Sequence, residues 1–487
     1  MAVRRERGFL SKRVWGLFCT ALLASDVHCT PHGEPVAGAK TASSQTGEAQ
    51  LERDFQERPL SQPACPEIID PAIWPRAEEG EKGLAAAVPG STGAIGHLEQ
   101  RMIGKGAVKL RFFGTHVFDL LDKLHNEAEP KEQSQREMIC HILNRVAERK
   151  APVIRIWGTL KRTGTTDEIE KARTLLALLL DENARRTRPF RFIVTLQNHQ
   201  AGYGHPSPEV PLDDQTKQGF SAKDMYLNES WKKPNIGQLA DRIQQYSETG
   251  IFTSSPYILA WELVNELDLF RVIPGGSLAH AAAEKVASSF VIPAAEQMAA
   301  AFKQPIVIAD IRASLDPAEN YLQWSGRLID QLSPAARKRL IWTSHVYTEK
   351  STGALSGTAS PNAVDKATLK LNRDLRIAAR FQTPFLLGEI GEHVRDSNPV
   401  FCGETGVHNL SASFQSVLFP SPDPAGRAVI ENALFWGEGH CNLPVDNAGS
   451  RRVHIGVGGD SADLGQSETD ALRAILALRE HRRFVAQ

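Results

Sequence analysis

The sequence predicts an α/β chain folded as a (β/α)8 barrel, and three observations predict it. Eight short runs rich in β-branched and aromatic residues are spread over residues 108 to 437. Amphipathic stretches at helical spacing lie between and after them, in strand-then-helix order and without a detectable internal repeat. Polar and charged residues gather at the carboxyl ends of the runs, where the βα loops of such a barrel converge.

In chain order, the first segment reads as an address rather than a fold. Arg4, Arg5, Arg7, Lys12 and Arg13 precede the apolar "VWGLFCTALLA", which is too short to span a bilayer. Residues 1–29 are therefore expected to be an export signal, and the protein to be secreted, periplasmic or held at the cell surface. Cys29, in "DVHC", makes a poor lipid-attachment box, so a lipid anchor is the lesser alternative, and no membrane insertion of the mature domain is expected. Residues 30–100 form a flexible linker and lead-in, polar and without apolar periodicity over 30 to about 60. The barrel domain is assigned to 101–487.

The eight predicted strands are "VKLRFFG" (108 to 114), "APVIRIW" (151 to 157), "FRFIVTL" (190 to 196), "YILAWEL" (257 to 263), "PIVIAD" (305 to 310), "LIWTSHV" (340 to 346), "PFLLGE" (384 to 389) and "NALFWG" (432 to 437). Among the helices, Ile139, Ile142, Leu143 and Val146 share one face, as do Ile169, Ala172, Leu176 and Leu179 behind the capping box Thr165 to Glu168. Further helices are predicted near 236 to 248, 280 to 302, 317 to 332, 365 to 381, 406 to 418 and 467 to 483. A doubly wound open sheet is the competing architecture. It wants a glycine-rich phosphate turn after the first strand, and "GTHVFDL" is not one.

Composition narrows the partners. The chain is 41% hydrophobic and 23% charged, with 56 basic against 57 acidic residues, so nothing calls for nucleic acid or an anionic surface. Outside the signal, Cys65, Cys140, Cys402 and Cys441 show no zinc or redox spacing. In an oxidising compartment two bridges are expected of these four, with Cys402 and Cys441 the favoured pair and free buried thiols the alternative.

The residues at the strand ends carry the chemistry. Arg155 and Trp157 end the second strand, and Asn198 and His199 follow the third. Asn265 and Glu266 follow the fourth, His345 and Tyr347 belong to the sixth, Glu389 to the seventh and Trp436 to the eighth. Desolvating charge at so many strand ends is costly unless something uses it. Two carboxylates brought to one pocket from different strands point to glycosidic bond cleavage, in which one protonates the leaving oxygen and the other attacks the anomeric carbon. Glu266 and Glu389 are that pair. A guanidinium such as Arg155 would hold Glu389 ionised, while burial beside aromatic walls would keep Glu266 protonated. Neither a metal nor an organic cofactor is implied.

"YILAWELVNELD" followed by "PFLLGEIGEH" resembles the acid/base and nucleophile strands of clan A glycoside hydrolases, family 5 above all, over roughly residues 105 to 440. Within that family "FIVTLQNHQAGYG" and "TGIFTSSPYILAWELVNE" are similar to segments of endo-β-1,4-mannanases. The resemblance implies a retaining enzyme acting on β-1,4-linked polysaccharide, β-mannan first, with Glu266 as acid/base and Glu389 as nucleophile. It implies Asn265 as ligand of the sugar 2-hydroxyl, Arg155 and Tyr347 as partners of the nucleophile, His345 as a subsite ligand and Trp436 as a stacking floor. Two positions depart from the pattern. His116 stands where the family has asparagine after the first strand, and a tryptophan of the mannanase strand-three motif is replaced near Gln200. A cellulase or exo-β-glycosidase of the same fold is the alternative within the mechanism. A non-catalytic carbohydrate-binding protein is the alternative outside it, and a monomer with an oligo- or polysaccharide partner is expected in either case.

Other residues have plainer readings. Glu262 shares strand parity with Glu266 but lies deeper, as a barrel-interior ion or hydrogen-bond partner. Glu392 and His393 fall in the loop beyond Glu389. The long connection from Gln197 to Trp231 holds Tyr203, Tyr226 and Trp231, which either stack on sugar or pack the loop onto the barrel.

Overall fold

The computed structural model describes residues 63–67, 99–102, 105–109, 112–126, 128, 131–148, 151–160, 166–197, 230–232, 239–265, 285–308, 328–349, 361–393, 430 and 432–435. The predicted helices at 406 to 418 and 467 to 483, and Cys402 and Cys441, lie outside these residues.

Among the described residues two sheets are present. β1 (Glu99–Met102) and β2 (Lys105–Lys109) form an antiparallel hairpin. The eight strands β3 (Phe112–His116), β4 (Val153–Trp157), β5 (Arg191–Thr195), β6 (Ile258–Glu262), β7 (Ile306–Ile308), β8 (Leu340–Glu349), β9 (Phe385–His393) and β10 (Asn432–Phe435) close into a parallel barrel, with β10 paired to both β3 and β9. Closure rules out the open sheet. The first predicted strand is corrected, because Val108 and Lys109 belong to the hairpin and the barrel strand starts at Phe112. Apolar alternation reports a buried face, not the sheet that buries it. β8 and β9 also run past their predicted ends, so Glu392 and His393 are strand residues rather than loop residues.

Strand pairing alternates side chains between two cores. Every barrel strand contributes to a buried inner cluster of Phe112, Val153, Ile193, Leu259, Ala260, Val307, Ile341, Leu386 and Leu434. The intervening positions, such as Ile154, Ile156, Trp261 and Leu387, pack outward with the helices. Helices α1 (Leu120–Asn126), α2 (Glu132–Glu148) and α3 (Thr166–Ala184) bury the predicted stripes, Ile139 and Leu143 on α2 and Leu176 and Leu179 on α3. Further round lie α4 (Leu239–Ser247), α5 (Ile292–Ala301) and α6 (Pro361–Phe381). After α6, Gln382 turns the chain in the left-handed region at φ 54°, and Thr383 N donates to Ala378 O at 3.0 Å to close the helix end before β9.

Within the barrel, two strands carry one residue too many. Phe192 and Ile193 of β5 pair with Ile258 and Ala260, which makes Leu259 the extra residue of β6. Ser344 and His345 of β8 pair with Leu387 and Glu389, and on the other side Ala433 and Phe435 pair with Leu387 and Ile390. Gly388 is therefore bulged out of both ladders. A bulge reverses the inside-outside parity of all that follows it.

A strap ties residues 63–67 to the outside of the barrel. Cys65 is bonded to Cys140 on α2, which excludes free thiols for these two. Around the bridge, Ala64 N donates to Glu182 at 2.6 Å, Asn144 Nδ2 donates to Pro66 O at 2.7 Å, and Glu67 accepts from Thr187 N at 2.9 Å. Trp231 takes the packing role, buried with its indole N–H on Ser289 O at 2.9 Å and edge-on to Phe290. Among the described residues no helix is long and apolar enough to cross a membrane.

Candidate active site

β4 points Val153, Arg155 and Trp157 along one side of the strand, and Val153 belongs to the inner cluster, so the guanidinium of Arg155 enters the barrel above the apolar core. It is 1% exposed. A planar cation has five N–H donors, and here each one has an acceptor. Nε and Nη2 grip Glu262 as a fork at 2.6 and 2.8 Å, and the second Nη2 proton reaches Asn265 Oδ1 at 2.8 Å. Nη1 donates to Glu389 Oε1 at 2.7 Å and to His116 Nδ1 at 3.2 Å. The carbon of the guanidinium also lies 4.8 Å from the centre of the Trp157 ring.

Each acceptor is itself oriented. Glu262 is inward only because the bulge at Leu259 puts Ala260 and Glu262 on the inner side, and Thr195 Oγ1 donates to its Oε2. Asn265 is held by its backbone N–H on Gln197 O at 2.8 Å. The tautomer of His116 follows from its partners. Nε2 faces the carbonyl of Gly388 at 2.8 Å, so Nε2 carries the proton and Nδ1 is the lone pair that accepts from Arg155. Burial first, and the cation beside it second, lower the His116 pKa from 6.5 to about 3, so the ring is neutral.

Glu389 faces inward because of the bulge before it. Leu386 belongs to the inner cluster and Leu387 to the outer one, so strict alternation would send Glu389 outward. The extra residue Gly388 restores it to the inner side. A side chain at 388 has no room, since a Cβ there would come 2.3 Å from Thr343 Oγ1 and 3.0 Å from His345 Nε2. On the inner side Glu389 Oε1 meets Arg155, and Oε2 lies 3.2 Å from Nδ1 of His345, its register partner on β8. Burial alone would raise the carboxyl, but His345 and Arg155 together more than offset it and hold Glu389 well below the usual carboxylate range. The pair works on the cation too: burial disfavours the charged guanidinium, and Glu262 and Glu389 overcome that and raise its pKa above the ordinary value.

The predicted Arg155, Asn265, His345 and Glu389 thus come together at one mouth of the barrel, within two hydrogen bonds of Arg155. Trp157 is 2% exposed, beneath Arg155 and against Phe118 at 5.7 Å. Tyr347 lies two residues beyond His345 in β8, paired with Gly391. Glu266, Asn198, His199 and Trp436 lie outside the described residues. Glu262 has the interior role its parity predicts. Thr195, the bridging role of the His116 ring and the bulge glycine join the site only in the folded chain. For Thr195 a signal existed, since it has the parity of Ile193 one step nearer the strand end. Such a site fixes an ionised carboxylate beside a cation in a buried mouth, which suits nucleophilic attack. Among the described residues no group of three or more His, Cys, Asp or Glu could hold a metal ion.

No protein-family model matches the sequence, and no curated protein matches it. Solved structures do. The family 5 glycoside hydrolase mannosidase from Rhizomucor miehei is 15% identical, over 77% of this chain and 94% of that one, with a TM-score of 0.50. The endo-β-1,4-mannanase from Thermotoga petrophila is also 15% identical, over 77% of each chain, with a TM-score of 0.44. A broad specificity endoglucanase from Clostridium acetobutylicum is 12% identical, over 69% of this chain and 90% of that one, with a TM-score of 0.38. At such identity the first of these likenesses establishes the barrel fold.

Proposed function

We propose that this chain is a family 5 glycoside hydrolase that cleaves β-1,4-linked polysaccharide with retention, β-mannan being its substrate. One observation carries the reading: an ionised, inward-turned Glu389 whose carboxylate oxygens are held by Arg155 at 2.7 Å and by His345 at 3.2 Å. A carboxylate fixed in this way at the carboxyl end of a barrel strand is prepared to attack an anomeric carbon. The choice of mannan rests on the resemblance of the strand-three and strand-four segments, and the Rhizomucor miehei fold match agrees with it.

In this reading Glu389 attacks the anomeric carbon while Glu266 gives its proton to the departing oxygen, leaving a glycosyl ester on Glu389. Glu266 then takes a proton from water, which attacks the same carbon and frees Glu389. Asn265, one hydrogen bond from Arg155, binds the 2-hydroxyl of the reacting sugar. Tyr347 partners the nucleophile, and His345, Asn198, His199, Trp157 and Trp436 line the subsites. The protein acts as an exported monomer on an extracellular oligo- or polysaccharide.

The test is release of reducing ends from a panel of mannans, glucomannans and β-glucans, with proton NMR following the anomeric configuration of the first product. Cleavage of mannan to an initially β-configured end supports the reading. Cleavage of glucan alone replaces the substrate, an initially α-configured end replaces the mechanism, and no cleavage of any member leaves a binding protein on this scaffold.

A further inference from the structure

We propose that His116 is a positioning residue for the nucleophile, its ring bridging the Arg155 guanidinium to the bulged backbone at Gly388 so that Glu389 and its cation are held in one register. The inference rests on the reading of Glu389 as nucleophile, and it adds a residue to that machinery at the position where the sequence departs from the family resemblance.

The geometry is specific. Gly388 is a register partner of neither neighbouring strand, which leaves it at the bulge. That carbonyl belongs to the peptide leading directly into Glu389, and it accepts from His116 Nε2 at 2.8 Å, across 272 residues of chain and past the intervening strand β10. The opposite nitrogen of the same ring accepts from Nη1 of Arg155, the nitrogen that also holds Glu389. His116 therefore fixes both ends of the Arg155–Glu389 contact, the cation and the peptide from which the carboxylate springs. Only a neutral ring can do this, because a doubly protonated one would turn an N–H toward the guanidinium.

The bulge is also held elsewhere. Thr343 Oγ1 donates to Leu386 O at 3.0 Å from within the barrel, and from outside Ser344 Oγ donates to buried Asp374 of α6 at 2.6 Å while Lys370 donates to His345 O. These contacts secure the backbone of β8 and β9 without touching Arg155. His116 alone among them joins bulge and guanidinium.

Three variants test the idea: His116→Phe fills the volume without either bond, His116→Gln has a donor and an acceptor at similar reach, and the shorter His116→Asn reaches one partner only. In protein labelled with [5-13C]glutamate, the Glu389 signal is assigned by its loss in Glu389→Gln. The expected result is a Glu389 midpoint raised by about one pH unit or more in His116→Phe and by less in His116→Asn, with His116→Gln near wild type. On p-nitrophenyl β-mannoside, kcat/KM should fall about 10²-fold in His116→Phe, through kcat, and recover most of the way in His116→Gln. A Glu389 titration identical in all four proteins overturns the inference, even if activity is lost. If the wild-type protein cleaves neither an aryl β-glycoside nor any polysaccharide of the panel, the glycosidase reading falls and the titration alone decides the role of His116. Should His116→Phe fail to fold, His116→Asn carries the same comparison.

Discussion

Arg155 on β4 and Glu389 on β9 are 234 residues apart in sequence and 2.7 Å apart in the barrel, each 1% exposed. The guanidinium serves two buried carboxylates at once, since its other edge holds Glu262. Arg155→Ala leaves both without their cation and should destabilise the fold by about 3–5 kcal/mol. Arg155→Lys keeps the charge but cannot match five acceptors with three rotating donors. It should stay folded with Glu389 titrating at higher pH. Urea unfolding and the acid limb of kcat/KM check these outcomes, and an unmoved acid limb in Arg155→Lys would show that the cation does not hold Glu389 ionised.

The two carboxylates should separate by role. Glu266→Ala should cut hydrolysis of the polysaccharide by about 10²–10⁴-fold yet spare the first step on activated aryl glycosides, with azide restoring turnover. Glu389→Ala should lose about 10⁴-fold or more on every substrate. In a crystal structure their carboxyl groups should lie about 5 to 5.5 Å apart, and about 9 Å would instead mean inversion.

Gly388→Ala should combine loss of stability with loss of activity. The added Cβ meets Thr343 Oγ1 at 2.3 Å and His345 Nε2 at 3.0 Å, on the side of the strand that presents Glu389. Overpacking of this kind costs about 1–3 kcal/mol. Because relief requires moving His345 or the bulge, kcat should fall by more than the stability loss explains. A Gly388→Ala enzyme of wild-type kcat would refute the bulge as the device that aims Glu389.

His116 should make the protein acid-labile. Its pKa is 6.5 in the unfolded chain and about 3 in the fold, so the unfolded state binds the extra proton between those values. Stability from this group is full above about 6.5 and is lost as pH falls toward about 3, at roughly 1.4 kcal/mol per pH unit in mid-window. Glu389, with its lowered pKa, acts in the same direction once the pH falls below about 4.5. Comparing unfolding free energies of wild type and His116→Gln from pH 7 to 4 isolates the His116 contribution, and equal slopes would contradict the neutral, buried ring.

The bridge between Cys65 and Cys140 spans 75 residues. In the chain-entropy view, closing a loop of that length stabilises by about 4 kcal/mol. Cys140→Ser should lower the denaturant midpoint accordingly, with the slope of the transition increasing as the unfolded chain expands. Mild reductant should lower the wild-type midpoint toward that of Cys140→Ser.

Much of this was legible along the chain. Eight short strands with helices between them, the inward parity of Arg155, and polar residues at the strand ends all follow from period-two and period-3.6 patterns, which are local, whereas Glu262 faces inward only through the bulge at Leu259. The favoured Cys402–Cys441 pairing falls outside the described residues, while the bridge that is described joins Cys65 to a helix no spacing rule singles out. Nor could alternation along "PFLLGE" show that Glu389 faces inward, for it argues the opposite until the extra residue at Gly388 is known.

By itself, the sequence determined the barrel and the polar and charged residue types gathered at its rim, because backbone periodicity and the polarity of strand ends are properties of short segments. Only the tertiary structure decided which of those residues meet. The two bulges exist only as mismatches of register between neighbouring strands. The five contacts of Arg155 come from β3, β6, β9 and the turn after β6, and the neutral state of His116 comes from burial beside that cation. Each depends on distances between segments remote in sequence, where Coulomb energy and hydrogen bonding act and local pattern carries no information.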